Sequence, residues 1–136
     1  MPLKWTISHP HRLVTVVAEG DVTREDIEHY LDGVVTSGVL AYRKIFDATN
    51  GGLVTESNDM MILGARIRAY PAFGRLGPLA IVATNERSRW QARLFLELAE
   101  VDRPIKIFRK VDAARRWLDS QPEGEPPAET LGRLVR

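Results

Sequence analysis

The sequence predicts an α/β domain: a five-stranded mixed, mainly parallel sheet with an N-terminal antiparallel hairpin and about four helices, in the order ββαβαβαβα. Three observations lead there. Two β-rich apolar segments near the start are joined by a short proline-containing stretch. Stripes of apolar residues at helical period then alternate with short apolar runs. One of those runs, Leu79-Ala80-Ile81-Val82-Ala83, is apolar throughout, as a central strand covered on both faces should be.

The elements follow in order. Leu3 to Ser8 alternates, with Leu3, Trp5 and Ile7 on one face, and Leu13 to Ala18 is a second strand. Pro10, between them, cannot continue a central strand, so a hairpin connection and an edge position for the first strand are expected. Gly20-Asp21-Val22 breaks the pattern. Thr23 then offers an N-cap hydroxyl ahead of Glu25 and Asp26, placing a helix start at about Arg24. Ile27, Tyr30, Leu31, Val34 and Val35 form its stripe, and Gly38 supplies a left-handed stop.

Tyr42 to Ala48 is the third predicted strand, and Thr49-Asn50-Gly51-Gly52 a turn. Thr55-Glu56-Ser57-Asn58-Asp59 opens a second helix, capped by Thr55 or Ser57, with Met60, Leu63, Ile67 and Tyr70 inward until Pro71 stops it. After the Leu79 to Ala83 strand, Thr84-Asn85-Glu86 begins a third helix with Trp90, Leu94, Phe95, Leu98 and Ala99 as its stripe. Ile105 to Phe108 is the fifth strand, and Asp112 caps a last helix that turns Ala114, Trp117 and Leu118 inward. Strands separated by helices call for right-handed crossovers.

A chain of 136 residues can bury one core, so residues 1–120 are read as a single domain. Residues 121–136 form a Pro/Glu-rich tail, in which Leu131, Leu134 and Val135 are the groups that could dock on a neighbouring subunit. Nineteen Lys and Arg against eighteen Asp and Glu leave no long-range field to attract nucleic acid. With no cysteine there are no disulfides, thiolate metal sites or Cys nucleophiles. No apolar run is long enough for stable membrane insertion and no secretory h-region opens the chain, so a cytoplasmic location is the default expectation.

Several segments, taken in order, resemble the SpoIIAA-like (STAS-like) domain family. They are Val17-Ala18-Glu19-Gly20-Asp21-Val22-Thr23, Ile45-Phe46-Asp47-Ala48-Thr49, Gly77-Pro78 with the Leu79 to Ala83 run, and Ile105-Lys106-Ile107-Phe108 followed by Ala113-Ala114-Arg115-Arg116-Trp117-Leu118. The resemblance spans Trp5 to Leu118. It implies a bacterial, non-catalytic binding or regulatory module similar to anti-sigma-factor antagonists that recognises a protein partner, with homodimerisation as an option. A more distant likeness to CRAL-TRIO domains implies the alternative, a carrier or sensor of an apolar small molecule or lipid. The antagonists carry a phosphorylated serine within Asp-Ser-Ser-Gly; here the matching stretch is Thr55-Glu56-Ser57-Asn58, which lacks the aspartate and the glycine. A phosphate on Ser57 would be repelled by Glu56 and Asp59, so retention of that switch is not expected.

In open parallel sheets ligands sit beyond the carboxyl ends of the strands. That rim is expected to hold Asp21, Asp47, Thr49, Asn50, Thr84, Asn85 and Arg109, with Ser57 beside it, and these are the candidate ligand or partner residues. The plainer reading of Asp47 is a cap on its own turn. His9, His11 and His29 promise no convergent metal site, and Gly51-Gly52 lacks the Lys-Ser/Thr ending of a phosphate loop. No Gly-x-Ser-x-Gly elbow or assignable acid–base pair is present, so no catalytic residue and no cofactor are expected. Arg66, Arg68, Arg75, Arg87, Arg89 and Arg93 are assigned to the second and third helices, either as a basic strip or as a solvated face. Met60, Met61, Trp90 and Phe95 are the candidates for lining an apolar cavity, with plain core as the alternative.

Overall fold

The structure is a computed structural model and describes residues 2–54, 56–99 and 103–122. Its elements are β1 (Leu3–Ser8), β2 (Leu13–Val22), α1 (Arg24–Thr36), β3 (Arg43–Leu53), α2 (Ser57–Arg68), β4 (Leu79–Val82), α3 (Glu86–Ala99), β5 (Ile105–Phe108) and α4 (Val111–Asp119). The five strands lie in the order β1-β2-β3-β4-β5. β1 runs antiparallel to β2 at one edge, and β2 to β5 are parallel. The middle position therefore belongs to β3; β4 lies one strand further on, although its four residues are all buried as expected.

This strand order fixes where the helices go. Each crossover from β2 through β5 steps the same way across the sheet, and right-handed crossovers that step one way place α1, α2 and α3 on one face. α4, which follows the last strand, covers β3, β4 and β5 from the other face. Alternation along the strands supplies both layers. Val14, Val16 and Ala18 join Leu3, Tyr30, Leu63 and Ile67 under α1 and α2, whereas Ile45, Ala80 and Val82 meet Ala114 and Leu118 under α4.

Helix α1 is specified at both ends. Thr23 Oγ1 accepts from the Asp26 amide while the Asp26 carboxylate accepts from the Thr23 amide, a reciprocal cap. At the far end Gly38 takes φ 71°, and the amides of Gly38 and Val39 donate to Val35 O and Val34 O. Ile27, Tyr30, Leu31 and Val34 face inward, but Val35 at the stripe's margin is exposed.

Several expectations are corrected. The segment Thr49-Asn50-Gly51-Gly52 is strand, not turn, and Gly20-Asp21-Val22 continues β2 rather than ending it. The two strands resume parallel pairing beyond a bulge at Val17/Glu19, with Glu19 opposite Asn50, Gly20 opposite Gly51 and Asp21 opposite Gly52. Glycine is needed at 51 because a Cβ there would lie 2.7 Å from the Ala18 carbonyl carbon. In α2 the N-cap is Glu56, whose amide donates to the Asp59 carboxylate, and Ser57 is the first helical residue; Thr55 lies outside the described residues.

In α3 the inward face is Ser88, Gln91, Ala92 and Ala99, with Phe95 partly buried, while Trp90 points outward at 56 % exposure. Gln91 can turn inward because its Nε2 donates to Leu53 O, 2.9 Å away. The N-cap of α4 is Lys110, and Asp112 stands in the first turn. The tail residues Leu131, Leu134 and Val135 lie outside the described residues. No described helix is long and apolar enough to cross a membrane.

Candidate functional site

Between the sheet and the three-helix layer lies a cavity of about 130 Å³. Its floor is Ala18, Phe46, Ala48, Leu79, Ile81 and Ala83, and its roof includes Leu31, Val34, Leu63, Ile67, Ala92 and Phe95. Alanines at 18, 48 and 83 in the floor and at 92 in the roof leave space between the larger side chains, while the helices brace one another at their edges. α2 and α3 touch where a Cβ on Gly64 would sit 2.9 Å from Leu98 Cβ. α1 and α2 are tied by Arg66, which donates from Nη2 to the Asp32 carboxylate and from Nε to Tyr70 Oη at 2.7 Å. The frame thus resists collapse onto the alanines. Of the residues expected to line such a space, Phe95 does; Met60 is buried elsewhere in the core, and Met61 and Trp90 are exposed.

One end of the cavity is polar. Lys44 is the second residue of β3 and shares its strand face with Phe46 and Ala48, so strand alternation carries its side chain under the helices. It is 5 % exposed, and its Nζ donates to Leu40 O at 2.6 Å and Tyr42 O at 2.7 Å. Burial, with a smaller push from the charge of Arg103, holds its pKa well below the ordinary lysine value. Arg103 precedes β5 and donates from Nε to Gly77 O at 2.6 Å. Its Nη2 is sealed from solvent with no hydrogen-bond partner among the described residues. Burial pulls the Arg103 pKa down to about 10, so the guanidinium remains charged at neutral pH. Tyr30 completes this end; burial raises its pKa, and the nearby Arg103 charge opposes that rise.

Comparison of the sequence with family models and with curated proteins finds no match. Among solved structures, the chain is similar to an uncharacterised protein of the DUF3478 family with a SpoIIAA-like fold from Shewanella loihica. The TM-score is 0.54 at 20 % identity, over 85 % of this chain and 91 % of that one. The fold is SpoIIAA-like.

On this SpoIIAA-like sheet the rim residues from the sequence lie near the carboxyl ends of the strands, away from the cavity's charged end. Asp47 sits inside β3, in phase with Ile45 and so on the α4 side, and its Oδ1 accepts from the Thr49 amide at 3.0 Å and Thr49 Oγ1 at 2.5 Å. Asp21 and Asn50 are exposed in the strand extensions beyond the bulge. Asn85 caps α3, its Oδ1 accepting from the Ser88 amide at 2.8 Å, next to exposed Thr84. Arg109 is exposed, 4.0 Å from Glu86. Ser57 opens α2. The structure spreads these groups along the rim and brings only Asp47 with Thr49 into direct contact among the described residues.

The remaining candidates disperse. His9 Nδ1 lies 2.8 Å from Tyr42 Oη and His29 packs edge-on against Trp5, and the described residues hold no cluster of three metal-ligating side chains. Arg75 belongs to neither helix but to the segment before β4. Arg66 donates to the Asp32 carboxylate, Arg68 to Leu98 O and Arg89 to Ala83 O, so three of the six arginines serve as struts between elements.

Proposed function

We propose that the domain is a non-catalytic binding module and that its ligand is a small apolar molecule held between the sheet and α1 to α3. The apolar cavity of about 130 Å³ carries this reading. An engineered hydrocarbon-lined cavity of about 150 Å³ in another protein binds benzene. Side chains bordering such a space lack neighbours on one side and forfeit dispersion contacts that a ligand would restore.

Thermal unfolding with and without benzene tests it. A ligand that binds only the folded state at ten times its Kd stabilises by about 1.4 kcal/mol, which raises Tm by several degrees in a domain of this size. The rise is expected in the wild type and absent in Ala92→Leu, which fills the space from α3. An unchanged Tm for the wild type at saturating benzene would retire the proposal.

A second reading is recognition of a protein partner along the rim from Asp47 to Ser57. It is supported by the exposed Val54, an apolar side chain at 45 % exposure where β3 ends, in the same stretch of chain as exposed Thr49 and Asn50. Under this reading a partner that co-purifies with the wild type is lost from Asp47→Ala and Ser57→Ala; equal recovery from all three proteins would rule it out.

A further inference from the structure

The polar end of the cavity has an unbalanced charge. Lys44 and Arg103 both border it, and none of the described lining residues is acidic. The two cations answer this in different ways. Lys44 gives its N–H groups to two backbone carbonyls, and an amine donating two hydrogen bonds can rest neutral there. Arg103 has no such escape, since a guanidinium keeps its proton. Its Nε is committed to Gly77 O, and its sealed Nη2 has nothing among the described residues to donate to. A charged donor left unsatisfied in a dry wall is costly, and an acceptor bearing negative charge is what would relieve it.

The rest of the wall limits what that acceptor can be attached to. Away from Arg103 the lining is Phe46, Ile81, Leu63, Ile67 and Phe95, which offers a hydrocarbon surface with room for a body about the size of a benzene ring. A single buried guanidinium balances one negative charge; a dianion such as phosphate would bring a second charge and a third oxygen that these residues do not meet.

From this geometry we infer that the cavity binds a small monocarboxylic acid, its carboxylate at the Arg103 guanidinium and its apolar body against Phe46, Ile81 and Phe95. The inference rests on the reading of the cavity as a ligand site and names the ligand's chemical class. Tyr30, close enough to feel the Arg103 charge, offers a hydroxyl as a further donor.

Calorimetric titration of the full chain with benzoate, benzyl alcohol and benzene separates the two claims. The wild type is expected to bind benzoate at least tenfold tighter than benzyl alcohol. Arg103→Met, which keeps the length and removes the charge, should lose that preference while still binding benzyl alcohol and benzene. If the wild type binds benzyl alcohol as tightly as benzoate, or Arg103→Met keeps the preference for the acid, the carboxylate assignment is wrong while the apolar site stands. If none of the three compounds binds, both readings fall. Should Arg103→Met not fold, intermolecular NOEs in the wild type decide: contacts from the benzoate ring to Ile81 and Phe95, with its carboxyl end next to the Arg103 side chain, support the site, and their absence with benzoate in excess overturns it.

Discussion

On one face of the sheet a single helix, α4, lays Ala114 and Leu118 directly on Ile45, Ala80 and Val82 in one buried cluster. On the other face three helices share the same strands and leave a cavity of about 130 Å³. Each face also holds a buried arginine with one nitrogen unpaired among the described residues, Nε of Arg43 and Nη2 of Arg103. Arg43, pointing toward α4, places Nη1 on Leu118 O at the helix's last turn and Nη2 on His11 O, at 3.1 and 2.7 Å. Arg103, on the cavity side, leaves its Nη2 unpaired among the described residues. One helix can settle onto a surface until small residues meet. Three helices that brace one another through Gly64 with Leu98, and through Asp32 with Arg66 and Tyr70, cannot descend further.

The sharpest way to break this comparison is to add the same bulk to each face. Ala80→Leu, beneath α4 and fully buried, should overpack the layer and cost about 1–3 kcal/mol in chemical unfolding. Ala92→Leu projects into the cavity and should be near neutral or stabilising. Equal losses for the two would mean that the faces are packed alike.

A smaller effect tests the polar end. Because burial depresses the Lys44 pKa, the folded protein binds fewer protons at this site than the unfolded chain between that depressed value and the ordinary value of 10.5. Stability should therefore rise with pH through that window, by at most about 1.4 kcal/mol per pH unit for one proton. The rise should vanish in Lys44→Met, whose loss of hydrogen bonds to Leu40 O and Tyr42 O is independent of pH. Urea unfolding should stop at about pH 10, because the raised pKa of buried Tyr30 works in the opposite direction above that point. Parallel stability profiles for wild type and variant would show that Lys44 does not titrate differently in the two states.

The smallest effect concerns the brace. Asp32 is mostly exposed, so Asp32→Asn should cost no more than about 1 kcal/mol, and less at high salt. A markedly larger loss would mean that the tie between α1 and α2 bears more of the cavity's frame than its exposure allows.

The order of elements was legible because periodicity reports burial directly: the stripe of α1 apart from Val35, the stripe of α2 and the unbroken apolar run of β4 hold in the structure. The extension of β3 was hidden because Asn50-Gly51-Gly52 has the composition of a turn, and only the neighbouring bulged strand shows that glycine serves close backbone approach there. The face of α3 was misjudged because Trp90 outweighs Ser88 and Gln91 in hydrophobicity, whereas the hydrogen bond that lets Gln91 turn inward comes from Leu53, remote in sequence. For the site, the sequence pattern points to the carboxyl rim, while the charged end of the cavity lies at the amino ends of β3 and β5. One signal was present: Lys44 falls in phase with Phe46 and Ala48, which places a lysine on a buried strand face. Arg103 gave none, because its burial depends on how the segment before β5 packs beside Gly77.

Xenon tests the central claim most directly, since it needs only apolar space and makes no polar contacts. Diffraction from crystals held under xenon should show the atom among Phe46, Ile81, Leu63 and Phe95, with none between the sheet and α4. Xenon on the α4 side, or on neither side at a pressure that fills comparable cavities, would contradict a fold with one sealed face and one ligand-sized space.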